Sequence, residues 1–256
     1  MVLEICVDSL DSAIVAEKGG AERVELCSDL MEGGITPSAG LIQKVRAAIS
    51  IDLFVMIRPR GGDSVYSSNE LEVMEADIAK VRHLGADGIV VGVMHCDSTV
   101  DIQRTERLVK LAAPMQVTFH RAFDLTRDLD RACEDVIATG AHRILTSGGK
   151  QTARLGAEQI ARLVRRADKR IAIMAGSGIN AHSAPDLARS TGVSEMHASL
   201  RRRTESPVRY RINGVAMGSR KNEEFIRYEL AESDVRALRS ALDGITEPAD
   251  SRHSVP

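Results

Sequence analysis

Three observations in the sequence predict a single-domain (β/α)8 barrel of the TIM type, an α/β fold in which strands and helices alternate. The chain has 256 residues, the usual size of one such barrel. A pattern of a glycine, a small residue and two polar or small residues leads into a strand-like run four times. Alternating strands and helices favour a parallel sheet, and eight such units close into a barrel.

The glycine pattern supplies four of the eight strands. Its copies are residues 20–26 (GAERVEL), 85–91 (GADGIVV), 140–145 (GAHRIL) and 192–197 (GVSEMH). Each glycine suits a left-handed backbone at the end of a helix, which other residues enter at a steric cost. The other four strands are expected at residues 2–7, 53–58, 116–120 and 171–175.

Helices fill the intervals between the strands. The second begins with Thr36 and Pro37, a hydroxyl cap before a proline at the first helical position. The expected ranges are residues 9–18, 37–48, 69–84, 101–112, 128–138, 151–167, 180–190 and 232–242.

A long basic loop is expected after the eighth strand, from Leu200 to Tyr228. Its basic residues are Arg201, Arg202, Arg203, Arg209, Arg211, Arg220 and Lys221. We expect it to form an ordered cover over the barrel mouth, because apolar side chains along it can pack. These are Val208, Tyr210, Ile212, Val215 and Met217. Residues 246–256 are polar and predict a disordered tail, which leaves residues 1–245 for the barrel.

Composition argues against several function classes. A net charge of −2 and the absence of Trp argue against a nucleic-acid partner. No apolar run approaches the roughly 20 residues of a membrane helix, so no membrane partner is expected. The chain starts directly in a strand-like run without a signal-peptide pattern, which predicts a cytoplasmic protein with reduced thiols.

The first two strands carry the same Glu-x-Cys spacing near their carboxyl ends, at Glu4 and Cys6 and again at Glu25 and Cys27. Alternation along a strand puts each Glu and its Cys on one face. If that face is the barrel interior, the two carboxylates are catalytic candidates. The glutamates can instead form structural ion pairs, and free cysteines often act as small buried hydrophobic residues.

The third and fifth strands end in charged residues, at the side of a TIM barrel where active sites form. Arg58 and Arg121 are candidates to bind an anion, since a guanidinium group matches carboxylate or phosphate. His120 is a candidate acid or base near neutral pH. Asp124 is a further catalytic candidate, although it can equally cap the next helix.

The last three strands end in small and polar residues. Backbone amides in their turns suit an anionic group, and TIM barrels often bind phosphate in this region. His197 is a weaker candidate, because a single histidine is often a core residue. The candidate ligand-binding residues here are Thr146, Ser147, Gly176, Ser177, His197, Ser199 and Arg201.

Several of these segments resemble the CutC family of copper-homeostasis proteins, over almost the whole length of the chain. The matching stretches are residues 3–9 (LEICVDS), 23–28 (RVELCS), 33–38 (GGITPS), 56–63 (MIRPRGGD), 118–124 (TFHRAFD), 143–148 (RILTSG) and 215–218 (VAMG). The resemblance implies a cytoplasmic TIM barrel that forms a homo-oligomer. It also implies a link to copper tolerance, with Cys6 and Cys27 as Cu(I) ligands.

Two functions therefore remain open. One is a Cu(I)-binding protein, since thiolates suit this ion. The other is an enzyme that acts on a small anionic metabolite, phosphorylated or sugar-like, with His120 or a glutamate as general acid or base. The chain departs from the family pattern at Ser177, where a glycine is frequent, and at Ala198, where some members have a cysteine.

Overall fold

Short runs, most of them with Val, Ile or Leu, form the eight parallel strands of a closed barrel, which confirms the predicted fold class. The computed structural model describes residues 1–212, 214–215 and 223–245. The barrel strands are β1 Val2–Val7, β2 Arg23–Leu26, β3 Asp52–Met56, β4 Gly88–Val91, β5 Gln116–Phe119, β6 Arg143–Thr146, β7 Ala172–Gly176 and β8 Glu195–Ala198.

Eight α-helices of the described residues surround the barrel. They are α1 Leu10–Lys18, α2 Ala39–Ala48, α3 Ser68–His83, α4 Ile102–Ala112, α5 Leu129–Ala138, α6 Ala157–Ala167, α7 Ala184–Thr191 and α8 Glu232–Asp243. The prediction that Thr36 caps α2 is wrong, because Ser38 Oγ accepts from the Leu41 amide at 3.2 Å. Helices α6 and α7 also begin later than predicted.

Among the described residues, no helix combines the length and the apolar character needed to cross a bilayer.

Alternation along each strand separates two packed regions. On β1, Leu3, Ile5 and Val7 are buried in the main core, whereas Cys6 belongs to a separate small cluster with Phe54. The main core therefore lies between strands and helices, and the small cluster lies inside the barrel. The four pattern glycines all have positive φ, from 73° to 94°, as their position at helix ends predicts.

The segment after β8 differs from the predicted covering loop. Its two ends form an antiparallel ribbon of β9 Arg201–Glu205 and β10 Ile226–Leu230. The expectation that its apolar side chains pack is wrong for those described, because they extend past the paired strands and are 48–79% exposed: Val208, Tyr210, Ile212 and Val215. Met217, Arg220, Lys221 and the predicted tail at residues 246–256 lie outside the described residues.

A layer of charged and aromatic side chains fills the barrel at the amino ends of the strands. The guanidinium groups of Arg23 and Arg143 lie 4.9 and 5.0 Å from the centre of the Phe54 ring. Glu195 pairs with both arginines. Gly88 leaves room for the ring, since a Cβ there would lie 2.4 Å from Phe54 Cζ. We call this layer the barrel floor.

Candidate functional site

A cavity of about 560 Å³ opens at the carboxyl ends of the strands, above the barrel floor. Its size suits a small metabolite. Most of the predicted site residues line it, from six strands and the loops that follow: Cys6, Glu25, Arg58, His120, Arg121, Asp124, Ser177, His197, Ser199 and Arg201. The other candidates, Glu4, Cys27, Thr146, Ser147 and Gly176, are not among the lining residues.

Glu4 is completely buried, and both its oxygens have partners. Oε2 accepts from Arg23 Nε at 2.5 Å, and Oε1 lies 2.7 Å from His197 Nδ1. Burial alone raises the pKa of Glu4, but Arg23 and His197 lower it to about 2. Glu4 is therefore a carboxylate that fixes the orientation of His197, and neither of its oxygens is available to a ligand.

His197 is the cationic partner between two carboxylates. Its Nδ1 contacts Glu4, and its Nε2 lies 3.9 Å from Glu25 Oε2. Burial lowers the pKa of His197, but Glu25, Cys6 and Glu4 together raise it well above its ordinary value. The imidazolium form prevails at neutral pH, so His197 links the cavity to the buried ion pairs beneath it.

Glu25 differs from Glu4 because only one of its two carboxylate oxygens has a hydrogen-bond partner among the described residues. Its Oε2 accepts from Cys27 Sγ at 3.6 Å, but its Oε1 is buried without a hydrogen-bond partner among the described residues. Burial raises the pKa of Glu25, with a smaller contribution from Glu4 that His197 opposes. A buried carboxylate oxygen without a partner is costly and can accept a proton or a hydrogen bond from a ligand.

His120 is held as a neutral ring. Its Nδ1 accepts from the Ala122 amide at 3.1 Å, which places the ring proton on Nε2. Burial and the nearby Arg58 lower the pKa of His120 to about 4. Nε2 is buried and has no partner among the residues that the structure describes. His120 is therefore a hydrogen-bond donor at neutral pH.

Cys6 and Cys27 lie side by side inside the barrel, with their sulfur atoms 3.9 Å apart. Contact with Cys27, followed by burial, raises the pKa of Cys6 well above its ordinary value. Contact with Cys6 lowers the pKa of Cys27, but burial and Glu25 raise it to about 11. Two sets of side chains have possible metal-ligating atoms within 4.8 Å of one another: Cys6, Glu25 and Cys27, and Glu4, Glu25 and His197.

Arg58 joins the loops at the mouth. Its guanidinium group donates to the carbonyl oxygens of Glu32 and Gly34, at 2.8 and 2.9 Å, and of Gly62, at 2.7 Å. Within the described residues it forms no ion pair with a carboxylate. Arg58 therefore brings a largely buried positive charge to the cavity, while most of its hydrogen-bonding capacity holds the loops.

Asp124 lies at the centre of a separate hydrogen-bond network. Its oxygens accept from the Thr146 hydroxyl at 2.5 Å, from Ser147 N and Oγ at 2.9 Å, and from Arg121 Nε at 2.9 Å. The cap of α5 is Asp128, so the capping alternative for Asp124 is wrong. The network fastens the loop after β6 to the loop after β5, which is a structural arrangement.

Arg201 reaches the cavity from the first residue of β9. One of its terminal nitrogens lies 3.2 Å from Asp8 Oδ2, and its guanidinium carbon lies 5.4 Å from the centre of the Tyr228 ring. Its Nε is buried without a partner among the described residues. Ser177 lines the same mouth in a left-handed conformation, with φ of 79°.

Sequence reasoning missed the residues that hold these groups in place. Three of them are buried at the amino ends of their strands: Arg23, Arg143 and Glu195. Alternation along the strands points their side chains into the barrel, as it does those of Glu4 and Glu25, and this alternation could have identified them. Gly92 was also missed. A Cβ at Gly92 would lie 2.4 Å from His120 Cε1, so only glycine leaves room for that ring.

Comparison with known proteins agrees with this architecture. A profile of the CutC family matches residues 1–202. The chain is 48% identical to a family protein CutC of Chromobacterium violaceum, over 94% of this chain and 98% of that protein. The chain belongs to the CutC family. A copper homeostasis protein cutC homolog of Homo sapiens is 43% identical, over 93% of this chain and 87% of that protein.

A solved CutC structure shows the same barrel. The copper homeostasis protein CutC of Streptococcus agalactiae superimposes with a TM-score of 0.74 at 33% identity, over 77% of this chain and 97% of that chain. The CutC profile ends at residue 202, just after β9 begins. The eight barrel strands and the cavity therefore lie within the part of the chain that the CutC profile describes, whereas most of the ribbon and α8 lie beyond it.

Proposed function

We propose that this CutC family member binds Cu(I) through Cys6 and Cys27 and serves copper homeostasis in the cytoplasm. The observation that supports the proposal is the 3.9 Å separation of the two buried sulfur atoms. Soft thiolate ligands favour Cu(I) over harder ions. The human and Streptococcus agalactiae relatives carry copper homeostasis in their names, which is consistent with the proposal.

The donor set fits one ion as cargo. With metal–sulfur bonds of about 2.3 Å, as for zinc, both sulfurs can contact one ion at an S–metal–S angle of about 116°. That angle leaves space for a third ligand, and Glu25 Oε2 lies 3.6 Å from Cys27 Sγ. Ala198 lines the cavity where some family members have a cysteine, so thiolate coordination among the described residues of this cluster rests on Cys6 and Cys27.

A Cu(I) titration under anaerobic, reducing conditions tests this function. With a competing chromophoric Cu(I) chelator, we expect one ion per chain, and X-ray absorption should show two sulfur neighbours. The double variant Cys6→Ser/Cys27→Ser should lose the site. The matched control Cys96→Ser/Cys133→Ser, which changes the other two cysteines, should keep it. Equal Cu(I) stoichiometry in both double variants would contradict the proposal.

A second candidate function is an enzyme that acts on a small anionic metabolite. The observation that favours it is the pair of buried, unpartnered atoms in one cavity, the acceptor Glu25 Oε1 and the donor His120 Nε2. A carboxylate base and a neutral imidazole donor together suit removal of a proton beside a carbonyl group. The roles are general base for Glu25 and stabilisation of the carbonyl oxygen for His120.

The proton transfer balances without a further reactant. Glu25 takes a proton from the carbon that bears a hydroxyl group beside a ketone. The C–H electrons form a carbon–carbon double bond, and the π electrons of the ketone move to its oxygen. His120 stabilises that oxygen, and a hydroxyl proton redistributes between the two oxygens of the enediolate. Glu25 then returns the proton to either carbon, so no oxidant or second substrate is needed.

Deuterium uptake tests the second function. In D₂O, 3-hydroxypyruvate or dihydroxyacetone phosphate should gain deuterium beside the ketone faster with the protein than without it, as followed by NMR. Glu25→Gln should slow uptake by at least about 100-fold. The control Glu158→Gln, on the exposed side of α6, should have no effect. Uptake that survives Glu25→Gln would contradict the assignment.

We also propose that the chain associates with itself, as the family resemblance implies. Four exposed apolar side chains in the described part of the segment that joins β9 to β10 support a second copy as the partner, because a partner surface would remove them from water. Tyr210 is the most exposed of them, at 79%. Light scattering should show an oligomer that Tyr210→Asp weakens. An equal mass for wild type and variant would contradict this contact.

A further inference from the structure

We propose that the cavity recognises a small anionic hydroxy-ketone through three separate contacts. Arg201 Nε binds the anionic group, His120 Nε2 donates to the ketone oxygen, and Glu25 Oε1 accepts from a hydroxyl group. This inference rests on the second proposed function and adds to it the class of ligand and the residue that selects for charge. It does not depend on copper binding.

The unpartnered atoms of the protein concentrate in this cavity. Six buried side-chain nitrogen or oxygen atoms lack a hydrogen-bond partner among the described residues, and three of them belong to lining residues of the cavity. Those three are Glu25 Oε1, His120 Nε2 and Arg201 Nε. Native structures satisfy nearly all buried polar groups, so this concentration indicates a place where a ligand supplies the missing partners.

The identity of the three atoms defines the complementary ligand. Glu25 Oε1 is an acceptor, so the ligand presents a hydroxyl donor to it. His120 Nε2 carries the only proton of a neutral ring, because Nδ1 already accepts from the Ala122 amide, so the ligand presents an acceptor such as a ketone oxygen. Gly92 keeps this ring in place, since any Cβ there would overlap it.

Charge at the mouth favours an anion as the third ligand group. Arg201 is only partly neutralised, by one contact with Asp8. Arg58 lines the same cavity, and its guanidinium group contacts carbonyl oxygens and no carboxylate in the part of the chain that the structure describes. The N–H groups of Arg58 hold the loops, so Arg58 supplies charge while Arg201 offers the free donor. A carboxylate and a phosphate both match this donor.

Matched ligands and variants test each contact separately. Binding by isothermal calorimetry is compared for 3-hydroxypyruvate (carboxylate), dihydroxyacetone phosphate (phosphate) and dihydroxyacetone (no charge). We expect at least one charged ligand to bind at least about tenfold more tightly than dihydroxyacetone. The tighter of the two charged ligands shows whether the site prefers a carboxylate or a phosphate. Arg201→Gln should abolish that preference, whereas Arg203→Gln, the exposed arginine two residues further along β9, should retain it.

The hydroxyl and ketone contacts are tested in the same way. Pyruvate lacks the hydroxyl group of 3-hydroxypyruvate, and Glu25→Leu, which removes the acceptor oxygen, should erase the difference in affinity between the two. His120→Phe should weaken both of these ketone ligands about tenfold. Arg201→Lys keeps the positive charge without Nε and serves as a second variant if Arg201→Gln does not fold.

The outcomes separate the two proposals. Ligand binding with this pattern but without deuterium uptake leaves the recognition site intact and removes the enzyme. Deuterium uptake with equal effects of Arg201→Gln on charged and uncharged ligands overturns the anion contact. No binding of either charged ligand overturns the whole inference. Cys96→Ser/Cys133→Ser, which changes two cysteines that do not line the cavity, should leave the preference for charged ligands unchanged.

Discussion

The Nδ1 atom of His197 lies 2.7 Å from Oε1 of Glu4, and this buried contact joins the last strand of the barrel to the first. The other Glu4 oxygen binds Arg23 in the barrel floor. Glu4 and Glu25 occupy neighbouring strands and share one imidazolium, yet only Glu25 keeps a free oxygen. Two glutamates with the same sequence spacing therefore have different roles, one positioning and one facing the ligand.

Loss of the Glu4 carboxylate should destabilise the barrel strongly. Glu4→Gln leaves Arg23 and His197 without their shared partner in a buried site, which typically costs about 3–5 kcal/mol. Urea unfolding measures the free energy of unfolding. The control Glu106→Gln removes an exposed pair with Lys110, and its effect should stay below about 1 kcal/mol. Equal effects of the two variants would contradict the role assigned to Glu4.

Acid should weaken the fold through the same carboxylate. The pKa of Glu4 is about 2 in the folded protein against an ordinary value of 4.5. Its contribution is therefore complete above pH 4.5 and is lost as the pH falls from 4.5 towards 2, by about 3 kcal/mol in total. Unfolding free energies measured across this range should fall less steeply for Glu4→Gln than for the wild type.

The two cavity histidines should differ in protonation at pH 7. His120, with a pKa of about 4, should carry one ring proton at Nε2, and His197 should carry protons on both nitrogens. NMR of the ring nitrogens distinguishes these forms directly. The neutral form of His120 stabilises the fold above pH 6.5, and this contribution is lost as the pH falls through 4. Titration of both rings near 6.5 would contradict these environments.

A methyl group at Gly92 should displace the His120 ring. The added Cβ would lie 2.4 Å from that ring, so Gly92→Ala should weaken binding of 3-hydroxypyruvate and deuterium uptake together, and lower the melting temperature. Gly40→Ala is the matched control, because its nearest neighbour is 4.0 Å away and alanine favours the helix by about 1 kcal/mol. Normal ligand binding in Gly92→Ala would contradict the positioning role of Gly92.

The strands and helices of the barrel could be predicted because each one carries its own signal. Left-handed glycines at residues 20, 85, 140 and 192 mark helix ends, and alternation along β1 separates Glu4 and Cys6 from Leu3 and Ile5. These features depend on residues close together in the chain. The same alternation puts each Glu and its Cys on one face of the strand, and the structure has that face inside the barrel.

The partners of each side chain could not be predicted, because they depend on contacts between distant strands. Asp124 is saturated by Thr146, Ser147 and Arg121, and Arg58 is engaged by loop carbonyls, so neither matches the simple role that its residue type indicates. The ribbon was mistaken for a loop because β9 has no apolar residue, although Ile226, Tyr228 and Leu230 alternate with charged residues along β10.

The barrel floor determines how ligands enter and leave the cavity. Phe54, with Arg23 and Arg143 against its ring, closes the lower end of the barrel within the described residues. A ligand that enters through the cavity mouth and reaches Glu25 must therefore leave through the same mouth. A product would then compete with incoming substrate for one entrance, and a copper ion could be handed over only to a recipient that docks at that rim.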